Sequence, residues 1–166
     1  MKRRTGNAVE EHLMPDKLSA GEVCTRIVAT VFRGSLLSEA ARLMRDQHVG
    51  CLVVVEQADP GRVVVGILTD RDIVVSVVAK DLDARLLSVG EAMAINVVTA
   101  REQDSVIDVV ELMRRKGVRR IPVTGPQGVL VGLVALDDLL QVLAAEMQAL
   151  AGAIGSERQR ERAAGA

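Results

Sequence analysis

Leu37, Ala40, Ala41 and Met44 fall at i, i+3, i+4 and i+7, the spacing that gathers apolar side chains on one face of an α-helix. Val106, Val109, Val110 and Met113 repeat that spacing further along the chain. Around each helix the period changes. Val28 to Val31 is a short apolar run, and Leu52 to Val55 and Val63 to Leu68 are runs rich in β-branched residues on either side of Asp59-Pro60-Gly61. Short apolar runs bounded by turn residues predict a buried hairpin. A second hairpin is predicted from Ile121 to Val123 and Val129 to Val134, around Gly125-Pro126-Gln127-Gly128. Further helices are expected from Asp70 toward Lys80 and from near Leu136. Ser35 and Asp104 stand ahead of the two amphipathic helices, and both can accept from free helix-start amides, so they are the expected N-caps.

The recurrence is an internal duplication. Gly21-Glu22-Val23-Cys24 returns as Gly90-Glu91-Ala92-Met93, and Leu43-Met44-Arg45 as Leu112-Met113-Arg114, both at an offset of 69. Gly66-Ile67-Leu68 returns as Gly132-Leu133-Val134 at an offset of 66, so the first copy carries three extra residues, placed in the polar loop 57–62. Each copy reads β-α-β-β-α and is too small to bury both faces of its own sheet. The expected architecture is therefore an α/β (α+β) fold in which two copies pack as one pseudo-two-fold unit. The organisation that follows is an arm over 1–19, copies over 20–80 and 89–143, a linker over 81–88 and a helical extension over 144–166. The extension is read from Leu136, Leu140, Leu143, Met147, Leu150 and Ile154, an alternating 4, 3 spacing that outlasts the second copy.

Composition narrows the function. Of 166 residues, 49% are apolar but Phe32 is the one aromatic, so the core is aliphatic and offers no ring on which to stack a base. Lys plus Arg, at 21, nearly cancels Asp plus Glu, at 22, which argues against general nucleic-acid binding. Cys24, Cys51, His12 and His48 fall at no metal-ligand spacing, and the cysteines read as buried thiols in a reducing compartment. No apolar segment follows Lys2-Arg3-Arg4, and no apolar stretch approaches the roughly 18 residues of a membrane span, so a soluble, cytoplasmic chain is expected. No P-loop, nucleophile elbow, G-x-G-x-x-G or H-E-x-x-H occurs, and an enzyme is not expected.

Over about Ala20 to Leu143 the chain resembles the cystathionine β-synthase (CBS) domain pair, or Bateman module. The likeness is carried by the tandem copies, the repeated Leu-Met pair, Val-Arg-Arg-Ile-Pro-Val at 118 to 123 and the Gly-led segments 66 to 72 and 132 to 138. The resemblance implies a regulatory module without catalysis that holds an adenosine nucleotide, AMP foremost, between its copies. NAD or S-adenosylmethionine is the alternative ligand, and an interaction module with a vestigial cleft is the alternative function. The family's ligand motif, Gly, hydrophobic, any residue, Thr or Ser, any two, Asp, is met in full by Gly66-Ile67-Leu68-Thr69-Asp70-Arg71-Asp72.

In that reading Gly66 admits the ligand close to backbone, the Thr69 hydroxyl donates to phosphate and the Asp72 carboxylate accepts from the ribose hydroxyls. Thr-x-x-Asp before an apolar run is equally the spelling of a helix cap. The second copy keeps Gly132 and Asp138 but has Ala135 at the Thr position, which implies a second, weaker site. By the resemblance, adenine lies on the opposite copy: on Met93, Ala94, Ile95, Asn96 and Val98 for the main site, and on Cys24, Thr25, Ile27 and Ala29, with Gly50 nearby, for the Asp138 site. Core packing is the plain alternative for Met93 and Val98. Arg119 and Arg120 are placed to face phosphate; neighbours on a strand point opposite ways, so one of the two is expected to reach it. The first copy has Gly50 and Cys51 there. A homodimer is expected, a disk of two pairs, with the 136–154 stripe on the partner chain or on the disk edge, and a regulated protein as further partner.

Overall fold

The computed structural model describes residues 18–164; the side chains of 146, 150 and 153–164, and all of 1–17, lie outside that description. The first copy runs α1 (Ala20–Val23), β1 (Thr30–Phe32), α2 (Leu37–Gln47), β2 (Cys51–Gln57), β3 (Arg62–Thr69) and α3 (Asp70–Ser76). The second runs α4 (Val89–Ala92), β4 (Ala100–Arg101), α5 (Val106–Lys116), β5 (Arg120–Thr124), β6 (Leu130–Ala135) and α6 (Leu136–Ala164). Each copy forms a three-stranded mixed sheet, β1-β2-β3 and β4-β5-β6, with the first pair parallel and the second antiparallel. Both hairpins carry a register irregularity at the same place, between Val54 and Val55 and between Val123 and Thr124. The duplication therefore extends to this detail of the backbone.

The apolar runs form the buried strands. Cys51 to Val55 are all buried, as are Ile121 to Thr124, so these central strands are covered on both faces. On α2 the buried residues are Leu37, Ala40 and Met44, and on α5 they are Val109 and Met113, on the faces that the spacing marks out. Burying each of these Leu, Val and Met side chains contributes about 1.5–3 kcal/mol. The helix ends differ from expectation. α2 begins after Leu36, whose N–H donates to Glu39 Oε2 at 3.2 Å, while the Ser35 carbonyl accepts from Val89 N–H at 2.9 Å. α5 is capped by Ser105, whose Oγ accepts from Asp108 N–H at 3.2 Å, while Asp104 accepts from Arg101 N–H at 2.8 Å in the preceding turn. Ser35 and Asp104 are thus turn residues, each lying ahead of the residue that opens its helix. α3 is also shorter than expected, ending at Ser76 before a separate 3-10 turn over Val78–Lys80.

Two short helices, α1 and α4, are absent from the β-α-β-β-α reading, and they are exchanged between copies. α1 docks on the second copy: Ala20 N–H donates to Asp104 C=O at 2.8 Å, and Val106 N–H to Leu18 C=O at 2.9 Å. Ala20 and Cys24 belong to a core with Val109, Ile121, Val134 and Leu139. α4 docks on the first copy, where Val89 and Met93 join Leu37, Leu52, Leu68 and Val77. Leu18 and Ser19 thus belong to the fold rather than to the arm, and Ala84 and Leu87 of the 81–88 segment pack against the first core. Each copy's core is closed by a piece of the other. The two sheets meet where Val63 of β3 bridges Val129, the residue just ahead of β6.

Candidate functional site

The docking of α4 on the first copy builds the cleft. After α4, Ala94 and Ile67 of β3 exchange two backbone hydrogen bonds, Ala94 N–H to Ile67 C=O at 2.9 Å and Ile67 N–H to Ala94 C=O at 3.1 Å. The irregular segment that follows, Ala94 to Val98, stands across from the start of α3 and closes a cleft of about 300 Å³ between the copies. Its walls are Ile67, Thr69, Asp70 and Arg71 of the first copy, and Ala94, Asn96, Val97, Val98 and the turn Gly117 to Arg120 of the second. The backbone of Ile95 to Val98 makes no main-chain hydrogen bond among the described residues, leaving donors and acceptors free on an aliphatic wall. Arg71, Arg119 and Arg120 face one carboxylate, Asp70, and none of the three forms an ion pair among the described residues.

Both Arg119 and Arg120 line this cleft. β5 begins at Arg120, so Arg119 still belongs to the turn and the alternation of strand side chains does not separate the two. Asp72 does not line the cleft. Its Oδ2 accepts from Thr69 N–H at 2.8 Å and from the Thr69 hydroxyl at 2.7 Å, while Asp72 N–H donates to Thr69 Oγ1 at 3.2 Å. The reciprocal helix cap is therefore formed. Asp70 and Arg71, the two unspecified positions of the motif, are the ones turned into the cleft, and position within the first helical turn was the signal that could have found them. Gly66 is not a point of close approach for a ligand, because the space its Cβ would occupy is filled by the Met93 side chain. Met93 is buried in the first core and does not line the cleft, nor does the exposed Ile95.

Cys51 pairs with Thr69 across the hairpin and lies beneath the cleft. Burial pushes its thiol up to about 11, against the opposite pull of the Arg120 guanidinium and with a further push from Asp72 and Asp70. It is therefore an inert buried thiol at neutral pH. Cys24 is likewise buried and free.

The pseudo-symmetric position has the same frame and different chemistry. Thr25 and Leu133 exchange two hydrogen bonds, at 2.9 and 3.0 Å, and Cys24 fills the space over Gly132. Ile27 is 94% exposed, and the Ala29 carbonyl accepts from Val53 N–H at 3.0 Å. Gly50 accepts from Asp70 N–H at 3.1 Å, and the Asp70 carboxylate occupies the space where a Gly50 Cβ would stand. Asp138 is half-buried in the first turn of α6 with no side-chain hydrogen bond among the described residues. Arg26 is already committed to Glu102 at 3.1 Å and to Gly21 C=O at 3.0 Å.

This combination of exchanged segments and an inter-copy cleft defines a class, the tandem CBS fold. The chain belongs to the CBS domain family, whose model matches residues 20–79 and 89–145. CBS pairs are regulatory, ligand-binding modules. The CBS domain-containing protein YhcV of Bacillus subtilis is 39% identical over 121 residues, 73% of this chain and 82% of that protein. Protein MK0525 of Methanopyrus kandleri is 35% identical over 125 residues, 75% of this chain and 62% of its own length. The cytosolic domain of the Mg2+ channel MgtE, solved in complex with ATP, superposes with a TM-score of 0.64 at 28% identity, covering 77% of this chain and 49% of that one. Among the described residues no helix is long and apolar enough to cross a membrane, and no group of three or more His, Cys, Asp or Glu could hold a metal ion.

Proposed function

We propose that the chain is a non-catalytic regulatory module of the cytoplasm, which binds an adenine nucleotide, AMP foremost, in the cleft between its copies. The observation that carries this reading is the convergence of Arg71, Arg119 and Arg120, free of ion pairs, on a slot with an aliphatic wall and unused backbone groups. Guanidinium groups are suited to phosphate by their planar donor fork. The backbone of Ile95 to Val98 is suited to read the edge of a base without an aromatic platform. Asp72 does not line the cleft itself, but it directly follows Arg71, which does, and Thr69 leaves its Oδ1 unused, so we assign it a ribose at the cleft's edge. The similarity to a channel domain solved with ATP supports this ligand class. The bound state is passed to a protein partner, and two chains associate as a homodimer. The Asp138 position, with Ala135 and no arginine counterpart, is the weaker site.

One observation favours the alternative, an interaction module with a vestigial cleft: the Thr69–Asp72 cap is complete as it stands. A thermal-shift series with AMP, ADP, ATP, NAD and S-adenosylmethionine separates the two. A ligand at 100 times its Kd adds about 2.7 kcal/mol, which for a chain of this size raises Tm by about 5–10 °C. A shift of that order is expected with the adenine mononucleotides. No shift with any of the five leaves the vestigial reading standing.

A further inference from the structure

We infer that Met93 is a positioning residue for the cleft, and that Gly66 is its seat. Its consequence for ligand binding rests on the nucleotide reading above; the geometry does not. A Cβ added at Gly66 would collide with Met93 Sδ and come within 3.2 Å of its Cγ and Cε. Met93 is the residue that ends α4, held by its N–H to Val89 C=O at 2.9 Å, and it is 8% exposed within the first core. The next residue, Ala94, makes the two-bond bridge to Ile67, and Asn96, Val97 and Val98 then line the cleft. The wall that faces the arginines is thus set by one plug and one bridge, both anchored on the opposite copy. Any side chain at position 66 unseats the plug and shifts the wall.

The pseudo-symmetric copy supplies an internal control. At Gly132 an added Cβ would meet Cys24 Sγ, but also Cys24 Cβ at 2.9 Å and the Thr25 carbonyl oxygen at 3.0 Å. There the obstruction is partly backbone and cannot be relieved by trimming a side chain. At Gly66 the three nearest atoms all belong to the Met93 side chain beyond its Cβ. Shortening Met93 should therefore relieve Gly66→Ala, whereas Cys24→Ala should not relieve Gly132→Ala.

Amide hydrogen exchange of the ligand-free protein reads the bridge directly, and calorimetry with ATP reads the cleft. Gly66→Ala is expected to speed exchange at Ile67 and Ala94 by at least about tenfold while leaving Val123 in the other sheet protected. ATP affinity should fall by a similar factor. Adding Met93→Ala to Gly66→Ala should return both readouts to within about threefold of Met93→Ala alone, a coupling that independent sites do not show. If Gly66→Ala does not fold, Met93→Ala alone must still speed exchange at Ala94 selectively. The inference is overturned if exchange at Ile67 and Ala94 is unchanged in Gly66→Ala, or if the double variant is as loose as Gly66→Ala. The expected exchange pattern in a protein that takes up no ATP upholds the positioning role and overturns only the nucleotide reading.

Discussion

Asp72 and Asp138 occupy equivalent places in the duplicated sequence and unequal places in the fold. Replacing Asp72 by Ala leaves the Thr69 amide and hydroxyl without their acceptor. Loss of such a cap costs about 1 kcal/mol, a fall in Tm of about 2–4 °C in the ligand-free protein. Asp138 makes no such bond, and Asp138→Ala removes only the interaction of its charge with the helix start, a few tenths of a kcal/mol when partly exposed. Circular-dichroism melts should therefore show Asp72→Ala as at least about twice as damaging; equal losses contradict this assignment. The motif positions were legible in the sequence, but their partners were not. Thr-x-x-Asp spells a cap and a ribose site alike, and nothing local to Gly66 announces that Met93, from the other copy, lies on it.

The elements legible in advance were those long enough to show a period: α2, α5 and the two hairpins. α1 and α4 have four residues each, about one turn, and no period can declare itself over so short a span. Their signal was a different one, Ser19 with Glu22 and Ser88 with Glu91. The Ser19 amide and hydroxyl each donate to Glu22 Oε2 at 2.7 Å, and the Ser88 pair does the same to Glu91 at 2.8 and 2.7 Å. These bonds hold both glutamates below the usual carboxylate range, the Ser19 hydroxyl being the larger cause for Glu22 and the Ser88 amide for Glu91. α6 was legible in its start and its excess length. Its inward residue is Leu139, fully buried, whereas Leu140, Leu143 and Met147 are 56, 49 and 71% exposed. Leu136 still packs against the second core, while Leu140, Leu143 and Met147 stand out from it and are left for a second chain or the disk edge to cover; the Leu150 and Ile154 side chains lie outside the described residues. Light scattering is expected to give a dimeric mass for the full chain and a smaller mass, with a lower Tm, for a chain ended after Leu143. A monomeric full chain, or a truncation that changes neither quantity, contradicts that role.

On the scale of the whole molecule the duplication gives one frame with two unequal positions, one of which opens into the cleft. The frame was legible because the offsets of 69 and 66 place every strand and helix of one copy on the other. The inequality was legible in part, from Ala135 and from Gly50 and Cys51 standing where the second copy has arginines. What no single sequence displays is the exchange of α1 and α4, since the pieces that pair lie far apart, 84 residues for Ala20 with Asp104 and 54 for Val89 with Ser35, and their contact depends on closure of the whole unit. That exchange makes the cleft a joint between copies, so a ligand that bridges Arg71 and Arg120 ties the first copy to the second. Titration calorimetry of AMP and ATP into the intact protein and into Arg120→Ala tests this account most directly. One tightly bound nucleotide per chain is expected, with affinity lowered at least about tenfold by Arg120→Ala, as for loss of a charge-assisted hydrogen bond. Absence of binding, or an affinity that Arg120→Ala leaves unchanged, would contradict it.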